Sequence, residues 1–101
     1  MKHIYKDGNL SITLDEELDI NSCKVLRTVI DGYIMKYQPK EFTLDLSKVE
    51  FMDSSGIGLL IGRYNLLKLI DSKMTIINPT SSIKRVLELS KIGNGITMRC
   101  E

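Results

Sequence analysis

At 101 residues the chain has the length of one compact domain, and a single domain spanning 1–101 is the expectation. Apolar residues at 43% and charged residues at 27% match an ordinary globular protein and exclude disordered, collagen-like and coiled-coil compositions. Lys and Arg total 14 against 13 Asp and Glu, so the net charge of +1 offers no electrostatic case for direct binding to nucleic acid or an anionic membrane.

The opening segment from His3 to Leu14 splits at Lys6-Asp7-Gly8-Asn9, where Asp-Gly suits a tight turn and Leu10, Ile12 and Leu14 alternate with Ser11 and Thr13. The N-terminus has no apolar signal-peptide core, and no apolar run reaches the roughly 20 residues of a membrane helix, so a cytoplasmic setting is expected. An acidic loop, Asp15 to Asp19, follows the hairpin. Cys23, Leu26, Val29, Ile30, Tyr33, Ile34 and Tyr37 then recur at helical spacing until Pro39 stops the pattern. Phe42, Leu44 and Leu46 alternate as a strand. A second helix is predicted from Ser54 to about Ile70, with Ile57, Leu60, Ile61, Tyr64, Leu67 and Ile70 as its inner stripe and Leu59, Leu66 and Leu69 outside it. Met74 to Ile77 reads as a strand, Thr80 or Ser81 as the cap of a third helix facing inward through Ile83, Val86 and Leu87 and closed by Gly93, and Ile96 to Cys100 as a last strand. The order β-β-α-β-α-β-α-β implies an α/β fold, a mixed sheet with helices packed on it.

Chemistry concentrates in Phe51-Met52-Asp53-Ser54-Ser55-Gly56-Ile57-Gly58. Small polar residues before an apolar-periodic run mark a helix start, with Asp53 or Ser54 as the N-cap. Gly58 and Gly62 lie four apart on one face, and each costs a helix about 1 kcal/mol relative to alanine, so either close packing on the sheet or close approach of a partner must compensate. The enzymatic alternatives fit poorly. A nucleophile elbow needs glycine two positions before the serine, where Ser55 has Asp53 and Ser54 has Met52, and the single histidine, His3, is the only imidazole. Gly56-Ile57-Gly58-Leu59-Leu60-Ile61-Gly62 has Ile61 where a dinucleotide loop needs its third glycine, and no Gly-Lys-Ser/Thr is present. Cys23 and Cys100 are too few for a cysteine metal site, and Asp19, Asp45 and Asp53 read as solvated caps.

Asp45-Leu46-Ser47 followed by the run from Phe51 to Tyr64 resembles the signature of the anti-sigma-factor antagonists, bacterial single-domain members of the STAS group. The similarity extends to Glu17-Leu18-Asp19 and to Asn78-Pro79 through Leu89. The resemblance implies a STAS-like sheet and a partner-switching protein with no catalytic residue, metal or cofactor of its own. Such an antagonist binds an anti-sigma factor that is also a serine kinase, lets go when phosphorylated, and is restored by a metal-dependent serine phosphatase. By the same resemblance Ser55 is the phosphorylated serine, with Asp19, Asp53, Ser54, Gly56, Gly58 and Gly62 on the partner-facing surface. Two departures stand out. Glu16 occupies a position where the family usually has glycine, and antagonists commonly continue into a further helix where this chain stops at Glu101, for which a homodimer would compensate. The alternative is a STAS scaffold or adaptor subunit of a signalling or transport complex, in which Ser55 only starts a helix.

Overall fold

The computed structural model describes residues 1–92 and 95–101. Strands β1 (Lys2–Lys6) and β2 (Asn9–Thr13) form an antiparallel hairpin, closed by Asp7 and Gly8, both at positive φ. A two-residue turn with both φ values positive is the type whose twist matches the flanking strands, which is why Asp-Gly serves there. Helix α1 (Ile20–Tyr37), strand β3 (Glu41–Asp45), helix α2 (Ser54–Lys68), strand β4 (Lys73–Ile77), helix α3 (Ser81–Leu89) and strand β5 (Thr97–Arg99) complete the chain. The expected closure of the third helix by Gly93 lies outside the described residues.

The five strands stand in sheet order β1-β2-β3-β4-β5, and every pair after the hairpin is parallel. Successive right-handed crossovers that step always in the same direction put all the connecting helices on one face of the sheet. Burial agrees with this. Leu10, Ile12, Phe42, Leu44, Met74 and Ile76 point into the core, while Ser11, Thr43 and Thr75, one cross-strand row on the other face, stay half-buried. Among the described residues no helix is long and apolar enough to cross a membrane.

Helix α1 ends where Gln38 turns to φ 46° and its N–H donates to the Ile34 carbonyl, just before Pro39. Helix α2 differs from its predicted stripe. Its buried residues are Gly56, Leu59, Leu60, Arg63 and Leu67, spaced by three and four, whereas Ile61 is 41% exposed. The inner arc is rotated from the expected one because α2 packs on α1 as well as on the sheet, and a buried arginine in that arc breaks its apolar pattern.

Candidate functional site

Two helix N-termini meet at one end of the sheet. Leu18 and Met52 form an isolated parallel bridge between the loops that precede α1 and α2. The Leu18 N–H donates to the Phe51 carbonyl at 3.0 Å and the Asp53 N–H donates to the Leu18 carbonyl at 3.2 Å. The residues that follow this bridge in each loop, Asp19 and Asp53, are the two N-caps. Asp19 Oδ1 accepts from the N–H groups of Asn21 and Ser22, both at 2.9 Å, and the Ser22 hydroxyl accepts in return from the Asp19 N–H at 3.1 Å. Asp53 Oδ1 accepts from the Ser55 N–H at 2.7 Å. Each carboxylate thereby satisfies N–H groups that the helix start leaves free.

These bonds have electrostatic consequences. The Ser22 N–H, followed by that of Asn21, holds the Asp19 carboxyl below its ordinary range against an opposing effect of burial. Burial pushes the Cys23 thiol up against an opposing hydrogen bond with Ser22, and the charges of Asp53 and Asp19 add to the rise. Cys23 thus lies within the field of both cap carboxylates.

Gly56, expected on the partner-facing surface, is instead buried against the bridge. A Cβ there would overlap Met52 Cγ and stand 3.0 Å from Leu18 Cβ, so glycine is what lets the start of α2 lie against the two loops. Ser54 is exposed and Ser55 half-buried in the first turn. At Gly58 and Gly62 an added Cβ would meet nothing within 4 Å, which excludes packing on the sheet as the reason for either glycine.

Both open glycines line a groove of about 440 Å³ between the two long helices. Helix α2 supplies its floor through Gly58, Leu59 and Gly62, with Ser55 at the end nearest the caps. Helix α1 supplies Ile20, Cys23, Lys24 and Arg27. Arg63 also lines the groove, at 6% exposure, with its Nε 2.7 Å from Asp31 Oδ1 on α1 and its Nη1 donating to the Leu59 carbonyl at 3.4 Å. Its burial lowers the guanidinium pKa while Asp31 acts against that. Sequence reasoning passed over Lys24, Arg27 and Ile20 (60% exposed), and although Phe51 and Arg63 fall in the signature run, it did not anticipate that Phe51 is 47% exposed beside the cap or that Arg63 is buried in the groove. Asp45 is separate in its bonding, accepting from the Ser47 N–H at 2.9 Å in the turn after β3.

The STAS domain family profile matches residues 3–100. The chain belongs to the STAS domain family. It is 32% identical over 83 residues to the anti-sigma F factor antagonist of Paenibacillus polymyxa, an alignment covering 82% of this chain and 71% of that protein. A second anti-sigma F factor antagonist, from Lysinibacillus sphaericus, is 30% identical over 82 residues, covering 81% of this chain and 70% of the relative. The fold matches that of the unphosphorylated anti-sigma factor antagonist SpoIIAA with a TM-score of 0.82 at 24% identity, over 96% of this chain and 85% of that one. SpoIIAA from Bacillus in its phosphorylated form matches with a TM-score of 0.74, also at 24% identity, over 96% and 88% of the two chains. Within this STAS domain the described residues contain no group of three His, Cys, Asp or Glu placed to hold a metal ion.

Proposed function

We propose that this STAS domain is an anti-sigma factor antagonist, controlled by phosphorylation of Ser55, that acts as a cytoplasmic regulator of transcription. The observation that carries the proposal is the position of Ser55. It lies in the first turn of α2, half-buried, its N–H held by Asp53 and its side facing the groove between the helices. The antagonist names of the two relatives and the existence of SpoIIAA in a phosphorylated form support the same reading.

In the proposed cycle the unphosphorylated protein binds an anti-sigma factor with serine kinase activity. The kinase, which brings nucleotide and metal, transfers the γ-phosphoryl group of ATP to Ser55 Oγ. The new O–P bond replaces the bond to the β,γ-bridging oxygen, ADP leaves, and the hydroxyl proton is lost to the kinase's base. A metal-dependent serine phosphatase hydrolyses the ester and restores the hydroxyl.

The phosphate carries a charge of about −1.5 to −2 into the first turn of α2, where the free N–H groups and helix dipole favour an anion by roughly 0.3 to 1 kcal/mol. The helix therefore survives phosphorylation. The effect falls on the interface, through steric conflict, desolvation and repulsion from acidic groups of the partner. Incubation with the anti-sigma F factor of Paenibacillus polymyxa and Mg-ATP, followed by intact mass and fragmentation, is expected to show one phosphate, on Ser55. An unmodified chain that still forms a complex would support a constitutive scaffold instead.

A further inference from the structure

We infer that the groove between α1 and α2 receives an acidic segment of the partner, with Lys24 and Arg27 as the cations that bind it. The identity of the partner rests on the antagonist reading; the groove and its charge do not.

Three observations converge on this site. Its floor is kept low by Gly58 and Gly62, where an added side chain would meet nothing of the protein itself. Two such glycines in one helix interior cost about 2 kcal/mol relative to alanine, and an added Cβ at either would find open space, so close packing within the domain does not account for them. The charged side chains that line it among the described residues, Lys24, Arg27 and Arg63, are all basic, while the cap carboxylates Asp19 and Asp53 act on it only at the Cys23 end. Arg63 is tied to Asp31 and to the Leu59 carbonyl, which leaves Lys24 and Arg27, both exposed, to meet an incoming anion. The apolar rim contributed by Ile20 and the floor contributed by Leu59 suit the aliphatic stem of a glutamate or a neighbouring apolar residue.

This arrangement connects the groove to Ser55, which lines the same cavity. A phosphate there introduces an anion beside the cations that the partner's carboxylates would use. Phosphorylation then opposes binding in two ways, by repelling the acidic segment and by occupying its counter-charges.

The test uses the double variant Lys24→Glu/Arg27→Glu, with Lys24→Ala/Arg27→Ala as a milder form, after circular dichroism has confirmed that each is folded. Calorimetric titration with the anti-sigma F factor of Paenibacillus polymyxa at low and high salt should show affinity at least about tenfold weaker in the charge-reversed protein. The dependence on salt should flatten. Equal affinity and equal salt dependence in wild type and both variants would overturn the inference. If wild type itself does not bind, the antagonist reading fails for that partner, and the groove is tested alone with an acetylated hexaglutamate peptide followed by amide chemical shifts. Shifts at Ser55, Gly58 and Gly62 that vanish in the variants support the site. Shifts that are absent, scattered over the surface or unchanged in the variants refute it.

Discussion

Replacing Gly62 separates the stability of the fold from its binding function. The position is in the interior of α2, its backbone is helical, and an added Cβ would meet nothing within 4 Å. Gly62→Ala therefore introduces no overlap and recovers the helix propensity that glycine forgoes, about 0.8 to 1 kcal/mol. For a domain of this size that gain raises the melting temperature by roughly 4 to 8 °C. Gly62→Leu keeps most of the gain because its side chain extends into the groove, but it fills space assigned to the partner. The expected result is a higher melting temperature for both variants, with binding of the anti-sigma factor lost in the leucine form. Thermal unfolding by circular dichroism and calorimetric binding on the same preparations decide it. A melting temperature lowered by several degrees would place Gly62 in a packed environment, and leucine-variant affinity equal to wild type would remove the groove from the interface.

Ser55→Ala should leave the fold intact and the partner complex permanent, whereas Ser55→Asp should weaken the complex; equal calorimetric affinities would remove Ser55 from the switch. Asp53→Asn retains an acceptor for the Ser55 N–H but loses the charge beside the phosphoacceptor, and single-turnover phosphorylation should slow by at least about tenfold, or roughly 1.4 kcal/mol, with an unchanged rate reducing Asp53 to a cap. Asp31→Ala should destabilise by about 2 kcal/mol, less than for a fully buried pair because Asp31 reaches water, while Arg63→Met, which leaves the more accessible partner unpaired, should cost less; urea unfolding compares them, and the reverse order would contradict the pairing. Because the folded state lowers the Asp19 pKa, the stability Asp19 contributes is present above its unfolded value near pH 4 and is lost as pH falls through the folded one. Asp19→Asn should therefore flatten acid destabilisation in that range, and an unaltered pH profile would argue against the cap bonds.

The order of elements was readable because strands alternate at period two and helices recur at three and four, with Asp7-Gly8 and Pro39 marking breaks in the chain. Asp53 was recognisable as one of two candidate caps for the same local reason. The inner face of α2 was not. Arg63 is charged in sequence but buried in the fold, and its ion pair with Asp31 depends on two helices whose approach no local pattern records. The bridge between Leu18 and Met52 is equally silent, since it joins two loops through backbone atoms alone. That bridge brings Asp19 beside Asp53 and requires glycine at 56, a residue that the resemblance alone places on the partner-facing surface. Lys24 and Arg27 look like an ordinary solvated face until α2 is seen opposite them.

The central claim is that a phosphate on Ser55 breaks a complex without disturbing the fold. Calorimetric titration of one anti-sigma factor with two preparations of this protein, unmodified and stoichiometrically phosphorylated on Ser55, tests it most directly. The account predicts at least about a hundredfold weaker binding after phosphorylation, equivalent to roughly 2.7 kcal/mol, with matching circular dichroism spectra. Equal affinities, or a phosphorylated form that binds weakly because it has unfolded, would contradict it.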